Sequence, residues 1–317
     1  MFSILKIFND LFTYKSNKKT FVTIGTFDGV HIGHQKVIKK LVKSASLNNA
    51  ESVLLTFFPH PRMVLKKKPE IKLINTIEER IKLLKKTGLQ SVIIHEFTKE
   101  YANQTAQYFV KTFLVNILNI SKLIIGYDHK FGKNREGDFN QLKEFGEGFN
   151  FEVEEIPQQD IDNAAVSSTK IRKAIENGNI DKANRYLGYY FMLTGEVVKG
   201  KNLGEKIGFP TANLQIKETY KLLPKTGAYV VKAEIENNII FGMMNIGFRP
   251  TVSGKNQTIE IHFFDFNKDL YGATIQIDVL NYLRDEQKFN SVELLKNQLQ
   301  KDKEKSLEII NGIFFDL

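Results

Sequence analysis

The spacing of apolar positions divides this chain into two stretches of different character. Up to about Tyr189, β-rich runs alternate with stretches of helical period. "FVTIGTF" from Phe21, "SVLLTFF" from Ser52, "SVIIHEF" from Ser91 and "KLIIGY" from Lys122 read as strands. Between them "HIGHQKVIKKLVKSASL", "TIEERIKLLKKTGL", which ends at Gly88, and "NQTAQYFVKTFLVNIL" read as helices. Strands that alternate with helices need crossover connections, which predicts a parallel sheet with helices on its faces. Ligands of such sheets bind beyond the carboxyl ends of the strands, where the loops "GTFDGVHIGH", "FFPHPR" and "GYDHKFG" all fall.

A further helical stretch, "STKIRKAIENGNIDKANRYLG", is broken at Gly178, and after it strand period takes over. "FMLTGEVVKG", "TGAYVVKAEIE", "NIIFGMMNIG", "TIEIHFFDF" and "ATIQIDVLNYL" are short β-rich runs separated by Gly, Asn and Lys turns, as in a small antiparallel barrel. "SVELLKNQLQKDKEKSLEIING" is an amphipathic helix expected to pack over the barrel's outside. The expected organisation is an α/β domain over residues 1–186 and an all-β domain with a terminal helix over residues 187–317.

Composition fits that division. A chain of 317 residues is long enough for two domains, which usually run about 100 to 200 residues each. With 42% hydrophobic and 26% charged residues, it has enough apolar side chains to fill two cores, and disorder is not expected. The absence of cysteine removes disulfides, thiolate metal sites and thiol nucleophiles, and fits a reducing compartment. The first residues put their basic cluster after the apolar stretch, the reverse of a secretory signal, and no run approaches the roughly 18 apolar residues of a membrane span. A cytoplasmic protein without a membrane partner is expected. Lys and Arg exceed Asp and Glu by 45 to 36, which suits nucleic acid, phosphorylated small molecules or a lysine-rich background. The charges are dispersed, and the compact block at Lys66–Lys68 reads as a solvated loop.

Two of the six histidines stand three apart in "TFDGVHIGHQ". That spacing brings His31 and His34 to one side of the first helical turn, where free N–H groups and the helix dipole favour an anion. The pair is equally compatible with a helix cap plus one packed histidine. Taken alone, Pro59-His60-Pro61 fits a rigid turn, and Ser167, Ser168 and Thr169 fit an N-cap. In the second half, Thr211 and Asn213 sit two apart on a strand edge, so their oxygens point the same way, and Gly204 and Gly208 leave room for backbone approach. A hydroxyl and an amide carbonyl are hard ligands suited to Mg2+. Strand phase puts Glu260 and His262 on one face of "TIEIHFF", which by itself also describes the solvent side of an exposed strand. No Walker P-loop occurs.

"GTFDGVHIGHQ" resembles the nucleotide-binding signature of the HxGH nucleotidyltransferase superfamily. With "LTFFPHPR", "IIGYDHKFGKNREGD", "SSTKIRKAI", "GKNLGEKIGFPTANL" and "TIEIHFFDFNKDLYG" following in order, the chain most resembles the prokaryotic bifunctional riboflavin kinase/FAD synthetases. The resemblance spans nearly the whole chain after Lys19. It implies a Rossmann-like N-terminal domain that adenylylates FMN to FAD and a C-terminal barrel that phosphorylates riboflavin to FMN, with ATP, riboflavin and FMN as substrates. ATP would lie across Gly25, Phe27, Asp28, His31, Gly33, His34 and His60, with Ser168, Thr169 and Arg172 closing over its phosphates. Asp128 and Phe131 would face the flavin of the first site, and Arg249 and Arg284 the flavin of the second. In the barrel, Gly204, Gly208, Pro210, Thr211 and Asn213 would bind ATP, Thr211 and Asn213 would also hold Mg2+, and Glu260 would be the general base.

The sequence departs from the family pattern at Phe58, where an acidic residue is expected, at Tyr127–Lys130 in the flavin-side loop, and at Asn202 and Glu205, which replace basic residues. Two other readings remain. One keeps the fold but transfers to another substrate, as cytidylyl- or pantetheine-type transferases do, and the "PTAN" barrel argues against it. The other is a nucleic-acid binder with an OB-like barrel, and the acidic strand "TIEIHFFDF" argues against that. No nucleic-acid partner is expected, and weak self-association is compatible with the sequence.

Overall fold

A computed structural model describes residues 4–65, 71–126, 131–132, 137–157, 166–200, 203–251 and 254–315. The chain divides into two compact units, residues 1–168 and 169–317.

The first unit is built on six parallel strands, β1 (Lys6–Phe8), β2 (Thr20–Ile24), β3 (Glu51–Phe57), β4 (Ser91–His95), β5 (Ile120–Gly126) and β6 (Glu152–Ile156), in the order β1-β4-β3-β2-β5-β6. The helices are α1 (Ile32–Leu47), α2 (Pro61–Leu65), α3 (Ile77–Lys85), α4 (Lys99–Ala102), α5 (Ala106–Phe109) and α6 (Phe139–Phe149), with π-helical turns over Val110–Ile117 continuing α5. The α/β architecture expected from the sequence is therefore present. Strand β3 is buried along its whole length, and alternate residues enter different cores. Val53, Leu55 and Phe57 pack with Phe109 and Phe113, whereas Leu54 packs with Ile38, Leu41 and Leu84.

The sequence pattern missed β1 and β6. Both lie at sheet edges, and "EVEEI" of β6 buries only Ile156, so neither strand carries the apolar run of a central one.

The second unit opens with α7 (Ser168–Glu176), whose first residue belongs to the first unit, and α8 (Ile180–Leu187). Strands β7 (Phe191–Val198), β8 (Ala212–Gln215), β9 (Gly227–Ile235), β10 (Asn238–Thr251), β11 (Gly254–Phe263) and β12 (Thr274–Asp285) close into an antiparallel barrel ordered β10-β11-β8-β7-β12-β9. The short helix α9 (Leu203–Lys206) precedes β8, and the long helix α10 (Val292–Phe315) packs on β9, β10 and β12. Helix α8 also belongs to the barrel. Asn184 donates through Nδ2 to the carbonyls of Val279 and Leu280 and accepts from the amide of Phe191. The contact boundary thus falls at 168/169, ahead of the change in sequence period.

Candidate functional site

In the first unit the loop Gly25–His31 leaves the carboxyl end of β2 and turns into α1. Its backbone takes left-handed conformations at Phe27 (φ 45°), Gly29 (φ 88°) and Val30 (φ 34°). Gly25 keeps the turn close: a Cβ there would lie 3.1 Å from the Phe27 ring. His31 is the N-cap of α1, and its Nδ1 accepts from the amide of His34 at 3.4 Å. With Nδ1 an acceptor, the neutral ring carries its proton on Nε2. The rings of His31 and His34 stack at 3.6 Å, and Phe27 lies 4.8 Å from His34. Nδ1 of His34 is buried with no hydrogen-bond partner among the described residues.

Burial, helped by His31 and Arg80, holds His34 well below the ordinary imidazole range. His34 is therefore uncharged at neutral pH and offers a hydrogen bond rather than a cation. The fixed positive charge is Arg80, which is 2% exposed. Its Nη2 lies 3.8 Å from Asp28 Oδ1, and its Nη1 bonds Thr56 Oγ1 at 3.4 Å.

The side chains of Asp28 and Phe27 face the fold. The buried carboxylate of Asp28 turns inward, accepting from the amides of Ile74 at 3.0 Å and Asn75 at 3.3 Å beside Arg80. An outward carboxylate would repel a polyphosphate, and here it braces the loop instead. Phe27 is a packed core residue supporting His34.

Ser168, the last residue of the first unit, donates through Oγ to the Asp28 carbonyl at 2.9 Å. Gly33 is buried in the first turn of α1. His60 is buried beyond β3, where its Nδ1 accepts from the amide of Arg62 at 3.0 Å and caps α2. Thr169 and Arg172 lie on α7, counted with the second unit. Phe131, expected at the flavin, sits in the core with its ring 6.2 Å from Phe109, because the loop bridges back from Phe131 to Gly137. Asp128 lies outside the described residues, as do Asn202 and the side chain of Arg249.

In the second unit, Gly204, Thr211, Asn213, Glu260 and Arg284 line one pocket of about 320 Å³. Strand pairing does this: β8 lies beside β11 with Glu260 opposite Asn213, and on its other side Glu260 faces Asn245 of β10. Close backbone approach occurs at Gly200 and Gly204, since a Cβ on the first would overlap the Asn213 amide and on the second the Phe209 carbonyl. A hydroxyl, an amide and a carboxylate thus line one pocket, and oxygen donors of this type suit Mg2+ beside phosphates. Gly208 and Pro210 lie in the adjoining loop, and the Pro210 carbonyl is 2.8 Å from His262 Nδ1.

Arg284 lines the pocket but is committed to Asp302 of α10, through Nε at 2.9 Å and 3.0 Å and Nη2 at 2.6 Å. Asp302 is held in turn by Gln298 Nε2. Sequence reading missed Asn245, Asp302 and Arg80. Arg80 had a signal: it occupies the buried phase of α3 together with Leu84, where an apolar residue would be usual.

One chain thus carries a histidine cap at a sheet's carboxyl edge and a carboxylate-lined pocket in a barrel. Residues 13–170 match the FAD synthetase family and residues 187–310 the riboflavin kinase family. Among curated relatives, the bifunctional riboflavin kinase/FMN adenylyltransferase of Buchnera aphidicola (subsp. Schizaphis graminum) is 37% identical, over 95% of this chain and 96% of its own length. The enzyme of that description from Listeria monocytogenes is 36% identical, over 89% and 90%. A crystal structure from Streptococcus pneumoniae, described as a macrolide-efflux protein, superposes with a TM-score of 0.87 at 32% identity, covering 96% of this chain and 98% of that one. Among the described residues of this chain, no helix is long and apolar enough to cross a membrane. The chain belongs to the bifunctional riboflavin kinase/FMN adenylyltransferase family.

Proposed function

We propose that the two activities of this family, phosphorylation of riboflavin and adenylylation of FMN, are divided between the two sites described. The barrel pocket makes FMN. Riboflavin's 5'-hydroxyl attacks the γ-phosphate of ATP, Glu260 accepts the hydroxyl proton, and ADP leaves. Thr211 and Asn213 would hold Mg2+, which would supply neutralisation of the phosphate charge. Gly204 and Gly208 are assigned to the ATP phosphates, and the position a Cβ would take at Gly208 is open. The observation that carries this reading is the convergence of Glu260, Thr211 and Asn213 on one pocket across the β8–β11 ladder.

The chain through α7 makes FAD. The phosphate of FMN attacks the α-phosphorus of ATP and pyrophosphate leaves. The start of α1 supplies free amides, His31 and His34 donate hydrogen bonds to the phosphates, and Thr169 and Arg172 are assigned to the leaving pyrophosphate. Such chemistry needs positioning and charge stabilisation rather than a covalent intermediate. The cytoplasm is the compartment proposed for both steps.

Incubation of the pure protein with riboflavin, ATP and Mg2+, followed by chromatography of the flavins over time, tests the whole reading. FMN should appear first and FAD after it. FMN without FAD, even from supplied FMN, would overturn the assignment of the histidine site, and absence of FMN would overturn that of the barrel.

A further inference from the structure

The ladder that joins β8 to β11 is short. Glu260 faces Asn213, Ile261 faces Ala212, and there the strand pairing ends. The residues just before are Thr211 and Pro210, and proline has no amide hydrogen to extend a ladder. A side chain continues the connection instead: His262 Nδ1 lies 2.8 Å from the Pro210 carbonyl oxygen. A carbonyl oxygen only accepts, so Nδ1 carries the proton and donates it. The imidazole is seated edge-on between two rings, 5.2 Å from Phe209 and 5.8 Å from Phe264. It lines the same pocket as Thr211, Asn213 and Glu260.

We propose that His262 is a positioning residue for phosphoryl transfer: by holding the Pro210 carbonyl through Nδ1–H, it fixes the neighbouring Thr211 relative to Glu260. The inference rests on the kinase reading of the barrel pocket. Glu260 and His262 stand two apart on one face of β11, so a single strand carries both the base and the clamp on the loop bearing the metal ligand. Without the clamp, Thr211, which directly precedes the last paired residue, Ala212, can turn about its own backbone dihedrals away from the phosphates. Groups that orient ligands in this way act on rate and on metal demand rather than on binding of the other substrate.

Three variants separate the clamp from other roles of the ring. His262→Asn keeps an N–H donor on the atom bonded to Cγ, where Nδ1 stands. His262→Gln moves the donor toward the position of Nε2, and His262→Ala removes it. Riboflavin phosphorylation is measured as kcat, riboflavin KM and half-saturating Mg2+ concentration, with FMN-to-FAD conversion and the melting curve reporting on the fold. Ala and Gln should lower kcat by about 10- to 100-fold and raise the Mg2+ requirement, with riboflavin KM little changed. Asn should stay well above both. If Ala lowers the melting temperature, the comparison of Asn with Gln decides alone.

Equal loss in Asn and Gln, full activity in Gln, or full activity in Ala would overturn the clamp. A wild-type chain that makes no FMN would overturn the kinase reading, and this inference with it.

Discussion

The imidazole of His34 lies stacked on that of His31 at 3.6 Å, with the ring planes 16° apart. The two rings are held face to face at the start of a helix, and His34 is uncharged. Replacement of both by alanine should therefore remove hydrogen bonds made to the reacting phosphates. FMN-to-FAD conversion should fall by at least about 10²- to 10³-fold, the usual loss when one such donor is removed. Riboflavin phosphorylation, measured on the same sample, should remain.

Acid should weaken the first unit. His34 stays uncharged in the folded protein, whereas in the unfolded chain it titrates near its ordinary value of 6.5. Below that pH the unfolded chain binds a proton that the folded one does not, so stability falls as pH falls. His95 is also depressed, chiefly by burial, and acts in the same direction. Melting followed from about pH 7 to about pH 5 should show a declining transition temperature, and His34→Asn should flatten the decline. An unchanged slope in the variant would assign it to other groups.

Glu260 stands opposite Asn213 on the adjoining strand. Glu260→Gln preserves the shape of the pocket and removes the proton acceptor, so riboflavin phosphorylation should fall by about 10²- to 10⁴-fold. Conversion of supplied FMN to FAD should be unaffected. Loss of both activities in a folded variant would show that the two sites are not independent.

The Arg284–Asp302 pair secures α10 to β12 at the wall of the barrel pocket. The side chains are 17% and 6% exposed, so removing the carboxylate leaves a largely buried guanidinium without its main partner. Asp302→Ala should destabilise the second unit by about 3–5 kcal/mol, measured by denaturant unfolding, and should reduce FMN formation. Asp302→Asn, which keeps one acceptor oxygen, should cost less.

Much of this molecule is legible in residue order. Strand and helix period gave the parallel sheet of the first unit and the five longer barrel strands, because central strands and helices must bury one or both faces. The edge strands β1 and β6 carried no such pattern, and β8 is only four residues long, although Thr211 and Asn213 marked it as a strand edge. The helical stretch before residue 187 was visible too. Its membership of the barrel was not, since that depends on the bonds of Asn184 to residues nearly a hundred positions away.

The histidine pair, the "PTAN" motif and Glu260 were likewise written in the sequence, since spacing of two on a strand or three on a helix sets a shared face. Tertiary structure alone decided what those faces meet. It turned Asp28 inward onto the amides of Ile74 and Asn75, buried Phe131 in the core, and spent Arg284 on Asp302. It also made Arg80 the buried cation near His34 and bonded His262 to Pro210. Side-chain type and local period are properties of neighbouring residues in the chain. The partners that neutralise a carboxylate or fix a ring come from distant segments, and only closure of the sheet and the barrel brings them within hydrogen-bond reach.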